Sequence, residues 1–124
     1  FGDAPRISQQ IIASPVVRAI TFTGSTAIGR DVARVAAEHL KPCTLELGGH
    51  APVIILGDAD VSAAAAAAAG GKTRNAGQVC TSPTRIYVAD KIYDDFVDAF
   101  GASLSALKVG RGRDAGVQMG PLAN

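Results

Sequence analysis

Four short stretches of strand composition, residues 19–23, 44–47, 53–56 and 85–89, are separated by segments with the period of a helix. That alternation constrains the fold more than any other feature. Strands this apolar suit a sheet covered on its faces by helices, which predicts an α/β fold with a largely parallel sheet. A helix is expected over 7–13, where Ile7, Ile11 and Ile12 recur at helical spacing before Ser14-Pro15 stops it. Ser25 or Thr26 can cap a second helix running to about Leu40, with Ile28, Val32, Val35 and Ala36 on its inner face and Pro42 closing it. Asp58 and Asp60 are cap candidates for a long alanine helix starting near Val61, and Gly70 and Gly71 predict weakness or a bend in it. Residues 91–107 read as an amphipathic helix whose Ile92, Phe96, Phe100, Leu104 and Leu107 form a core stripe. The tail from Gly110 onward reads as loop.

With 48% hydrophobic and 19% charged residues in 124, the chain has the balance of a core-forming globular domain and not of a disordered one. Its net charge of +1, without a block of like charge, supplies no footprint for nucleic acid or an anionic membrane surface. The apolar runs fall far short of the roughly 20 residues of a membrane span. Two cysteines, Cys43 and Cys80, make no disulfide framework, and with His39 and His50 alone no zinc cluster assembles, so no metal is expected. Thiols of this kind point to a cytoplasmic setting. The chain opens at Phe1 and its one methionine is Met119, which reads as an internal fragment.

Three polar or glycine-rich clusters stand at element ends, where chemistry concentrates. The first, Phe22-Thr23-Gly24-Ser25-Thr26-Ala27-Ile28-Gly29, leads a strand into a helix. Its free amides, hydroxyls and glycines suit a phosphate, or serve only as a capped turn. The second, Leu45-Glu46-Leu47-Gly48-Gly49, sets a carboxylate between two leucines on an expected buried strand end. Glu46 there is either a general base or one half of an ion pair. The third, Asn75-Ala76-Gly77-Gln78-Val79-Cys80, places a thiol after an amide-rich turn, as a nucleophile or as a small core residue.

In this order, and followed by Met119-Gly120-Pro121-Leu122, the clusters resemble the aldehyde dehydrogenase superfamily. The resemblance implies Cys80 as catalytic nucleophile and Glu46 as general base. It implies NAD or NADP as cofactor, with Gly24 to Gly29 against the pyrophosphate, Ser25 on a phosphate, Thr23 near the nicotinamide and the Leu47-Gly48 backbone beside that ring. On the same basis residues 1–48 are the C-terminal part of a Rossmann-like nucleotide-binding domain and 49–124 the N-terminal part of the catalytic domain. The expected partner is a small-molecule aldehyde, and the parent protein is expected to be a homo-oligomer.

His-Ala-Pro at 50–52 and Cys-Thr-Ser-Pro-Thr-Arg at 80–85 are most similar to bacterial succinate-semialdehyde dehydrogenases. His50 stands where many relatives carry lysine and reads as a loop histidine without a chemical task. Thr73 occupies a position more often apolar, and Cys43 reads as core. Two other readings stay open: a cysteine hydrolase, which needs a histidine beside Cys80, and a catalytically inert partial domain with open sheet edges if the 124 residues act alone.

Overall fold

The computed structural model describes residues 2–123. The fold is α/β, in two compact units, Phe1–Gly48 and Gly49–Asn124. Each unit is built around one parallel β-α-β element.

In the first unit, helix α1 (Ala4–Ala13) starts three residues earlier than its isoleucines alone suggest. Asp3 accepts a hydrogen bond from the Arg6 amide at 3.2 Å, and Pro5 fits the first turn, where no amide is needed. Strand β1 (Ile20–Gly24), helix α2 (Thr26–Glu38) and strand β2 (Cys43–Leu47) follow. The two strands run parallel from Ile20 opposite Cys43 to Gly24 opposite Leu47. Ile12, Val32 and Ala36 are buried between helices and sheet, with Ile20, Phe22, Val35, half-buried Cys43 and Leu45 packed on them. Ile28 does not share that core: it is 51% exposed.

Helix α2 stops at Glu38, short of Leu40, in a Schellman arrangement. The Lys41 amide donates to the Ala36 carbonyl and the Leu40 amide to the Ala37 carbonyl, with Leu40 at φ 53° in the position that glycine usually fills. The Lys41 ammonium then reaches back to the Ile12 and Ser14 carbonyls at the end of α1, 2.6 Å from the latter. A cation there offsets the negative end of that helix dipole.

In the second unit, strand β3 (Ala51–Ile55) pairs in parallel with β4 (Pro83–Val88), and helix α3 (Val61–Thr73) connects them. Asp60, not Asp58, caps α3 by accepting from the Ala63 amide at 3.0 Å. Gly70 and Gly71, where weakness or a bend is expected, do not end the helix: α3 continues through both to Thr73. Its alanine surface lets helix α4 (Tyr93–Ser105) pack closely, and Ile55, Ala65, Ala68 and Phe96 form the buried core. Tertiary packing here outweighs the roughly 1 kcal/mol propensity cost of each glycine. Thr73 ends the helix with its hydroxyl bonded back to the Ala69 carbonyl at 2.8 Å, so a polar side chain is accommodated there.

From the expected stripe, Phe96 is buried, its ring stacked on Phe100 at 5.7 Å, while Ile92 packs at the margin and Leu104 and Leu107 are half-buried. Beyond α4 the tail is clipped rather than free. Gln118 donates to the Lys108 carbonyl at 2.9 Å and Gly110 to the Met119 carbonyl at 3.0 Å. No helix among the described residues is long and apolar enough to cross a membrane.

Candidate active site

In the first unit the chemistry-bearing residues gather at the C-terminal ends of β1 and β2, the edge where open parallel sheets take ligands. Ser25 caps α2, its hydroxyl oxygen accepting from the Ile28 amide at 3.3 Å. A hydroxyl that accepts in this way still has its own proton to donate. The first Ser25-carbonyl bond of the helix comes from the Gly29 amide at 2.9 Å, so the amides of Thr26 and Ala27 lie outside the helical ladder and face an anion-favouring terminus.

The glycines of this turn act by what they leave out. A Cβ at Gly29 would stand 2.5 Å from Leu47 Cδ2, and one at Gly24 would stand 2.6 Å from the tip of the Phe22 ring. Gly29 is buried inside α2 and brings that helix down onto the end of β2. Beside the turn, α1 and α2 flank a groove of about 410 Å³ lined by Pro5, Ser8, Gln9, Ile28, Asp31 and Val32, among others. Exposed Ile28 belongs to both features. The helical period cannot reveal such a groove, because an apolar residue lining a ligand slot has the same spacing as one lining the core.

Along β2, strand alternation sends Leu45 and Leu47 to the core side and Glu46 to the other, so Glu46 is exposed and the expected burial is not found. Two flanking leucines say nothing of burial for the residue between them, since successive side chains in a strand point to opposite faces. Glu46 is the register partner of Thr23, and Gly24 that of Leu47. Thr23, Gly24, Ser25, Glu46, Leu47 and Gly48 are therefore brought together around two adjacent strand ends.

Cys80 lies in the second unit, exposed, in the loop between α3 and β4. Three consecutive residues before it, Asn75, Ala76 and Gly77, have φ of 50°, 55° and 78°. A left-handed alanine costs roughly 1–2 kcal/mol and persists only when its surroundings hold it. They do so here: Asn75 Nδ2 donates to the Gln78 carbonyl at 3.1 Å, and Gln78 Nε2 and its amide donate to the Asn75 carbonyl at 3.2 and 3.1 Å. Gln78 Oε1 also accepts from the Ala123 amide at 3.0 Å.

A second turn follows directly, closed by the Ser82 amide on the Val79 carbonyl at 2.9 Å, a bond that spans Cys80 and Thr81 without using their amides. Ser82 is buried with its hydroxyl unpaired among the described residues. The Asn75–Gln78 clamp is legible only as composition in the sequence. Its reciprocal bonds require the left-handed backbone that places the two side chains over each other's carbonyls.

Cys43 and Cys80 are both free thiols, and no group of three or more metal-ligating side chains occurs among the described residues. The profile of the aldehyde dehydrogenase family matches residues 1–124. The chain is 56% identical over 124 residues to the 4-(hydroxymethyl)benzenesulfonate dehydrogenase of Comamonas testosteroni, a match covering 100% of this chain and 26% of that protein. It is 43% identical over 121 residues to the NADP(+) succinate-semialdehyde dehydrogenase of Escherichia coli strain K12, covering 98% and 25% of the two. Among solved structures, the succinate-semialdehyde dehydrogenase from Burkholderia pseudomallei matches with a TM-score of 0.94 at 46% identity, over 98% of this chain and 25% of that one. The chain thus spans about a quarter of the length of these relatives. With a family profile matched along its whole length, close relatives at high identity and the same fold, the chain belongs to the aldehyde dehydrogenase family.

Proposed function

We propose that this chain carries the nucleophile, the general base and part of the dinucleotide site of an NAD(P)-dependent enzyme that oxidises an aldehyde to a carboxylic acid. The observation that supports this most is the exposure of Cys80 in a turn that directly follows a strained backbone run held by the Asn75–Gln78 clamp. A free cysteine is ordinarily one of the most buried residues. Holding one at the surface on a strained loop costs stability and suits a reactive thiol.

In this reading the Cys80 thiolate adds to the aldehyde carbon, and the Cys80 backbone amide donates to the oxygen that becomes anionic. The bound nicotinamide supplies one thing, an acceptor for the hydride that leaves the thiohemiacetal carbon. What remains on Cys80 is a thioester. Glu46 then takes a proton from water, the hydroxide adds to the thioester carbon, and the Cys80 sulfur departs to release the acid.

The first unit fits the dinucleotide. The Thr26 and Ala27 amides and the Ser25 hydroxyl suit a pyrophosphate, and the missing Cβ of Gly29 lets α2 sit close to Leu47 beneath it. The groove with Pro5 and Ile28 in its lining suits the purine end. Thr23 and the Leu47–Gly48 backbone then lie on the nicotinamide side.

For the substrate, the relatives named for 4-(hydroxymethyl)benzenesulfonate and for succinate semialdehyde both point to a compound with an acid group remote from the reacting carbon. An anion-bearing aldehyde, with succinic semialdehyde as the first choice, is the substrate class proposed here. Nicotinamide reduction by the full-length protein with succinic semialdehyde, a sulfonated benzaldehyde and short alkyl aldehydes tests this. Preference for the charged aldehydes is the expected result. Equal or better turnover of the uncharged ones contradicts the substrate assignment.

A further inference from the structure

We propose that His50 is a positioning residue for the nucleophile turn, acting through Thr84; the proposal rests on Cys80 being the nucleophile. The pairing of β3 with β4 is irregular at its start. Ala51 faces Pro83 but Pro52 faces Arg85, so Thr84 is the extra residue of a β-bulge. A bulge interrupts the ladder and bends its strand, and the direction in which the chain enters β4 is set there. His50, exposed and one residue before β3, has its Nδ1 3.0 Å from the Oγ1 of Thr84, also exposed, so a side-chain hydrogen bond from the segment entering the facing strand holds the bulged residue.

That bond is close to the reacting thiol along a stiff path. Ser82 closes the turn over Cys80 and Thr81 through its amide, and Pro83, with a ring-fixed φ, is the one residue between Ser82 and Thr84. The Ser82 hydroxyl, buried and unpaired among the described residues, gives the turn no polar anchor of its own on this side. On the other side the Asn75–Gln78 clamp fixes the approach. His50–Thr84 is the matching anchor on the outgoing leg. The histidine expected to have no chemical task thus holds the frame of the nucleophile. Either ring tautomer serves, because the Thr84 hydroxyl can both donate and accept.

The test is a double-mutant cycle in the full-length protein, with His50→Ala, Thr84→Val and the pair. Two quantities are read: the rate of Cys80 alkylation by iodoacetamide, followed on the Cys80 peptide by mass spectrometry, and kcat/KM for the aldehyde. Loss of this one side-chain hydrogen bond predicts a fall of about fivefold in both for each single variant, and no further fall in the double variant. His50→Asn, whose amide can reach the same hydroxyl, restores most of the rate, and cofactor affinity stays at the wild-type value throughout. Additive losses, unchanged alkylation, or failure of His50→Asn to recover the rate overturns the proposal. Should Thr84→Val not fold, the His50→Ala and His50→Asn pair decides alone. Alkylation needs no turnover, so a protein that oxidises no aldehyde refutes the catalytic reading while the coupling is still measured.

Discussion

Thr23 and Glu46 are register partners on neighbouring parallel strands, and both are exposed on the face of the sheet opposite the Ile12–Val32–Ala36 core. A threonine assigned to the nicotinamide side and a carboxylate assigned to water activation thereby occupy adjacent positions one step before the strand ends. The backbone pairing fixes this neighbourhood, so it does not depend on a side-chain rotamer.

If Glu46 activates water only after the hydride has left, Glu46→Gln separates the two halves of the reaction. Rapid mixing is expected to give a burst of about one reduced nicotinamide per site, followed by a steady rate lower by roughly 10²–10⁴-fold. Loss of the burst together with the steady rate would assign Glu46 to an earlier step.

Gly29 is a packing requirement. In Gly29→Ala the new methyl meets Leu47 Cδ2 at 2.5 Å, and the expected cost is about 1–3 kcal/mol in urea unfolding. Adding Leu47→Ala makes room for the methyl, so the double variant should lose less than the two single losses combined. Strict additivity would show that α2 and β2 do not press on each other at this point.

Leu40 ends α2 at φ 53° and is 93% exposed, so its side chain contributes strain without packing. Leu40→Gly is expected to stabilise the protein by about 0.5–1 kcal/mol, the relief of a left-handed residue less the entropy glycine adds to the unfolded chain. A higher urea midpoint at unchanged slope is the reading that agrees.

The Asn75–Gln78 clamp predicts a difference between neighbours. Gly77→Ala places a methyl 3.2 Å from the Lys72 carbonyl oxygen at φ 78°, and should slow Cys80 alkylation and destabilise by about 1–2 kcal/mol. Ala76→Gly, at φ 55°, relieves strain and should leave stability equal or slightly higher. Equal losses in both would show that the left-handed run is not what shapes the turn.

Much of this architecture is legible in the residues, and its gaps have physical causes. Strand and helix alternation, the Ser25 and Asp60 caps and the Phe96 stripe follow from local chemistry and are found in place. The start of α1 was also written in Asp3 and Pro5, but isoleucine spacing alone conceals it. Glu46 reads as buried only if its leucine neighbours are taken to share its face, which strand geometry forbids. The continuation of α3 through Gly70 and Gly71 accompanies packing of its alanine face on α4, and the bulge at Thr84 depends on the register of a partner strand 30 or so residues away. Neither is encoded locally. The motifs point to Cys80, Glu46 and the 23–29 turn, whereas the groove at Ile28 and the anchor at His50 emerge only once helices and strands are assembled.

The role of Cys80 as nucleophile is tested by nicotinamide reduction in the full-length protein with succinic semialdehyde, wild type against Cys80→Ala. Reduction by the wild type that disappears in the variant, with cofactor binding intact in both, is the predicted result. A Cys80→Ala protein that still reduces the nicotinamide at the wild-type rate would contradict it.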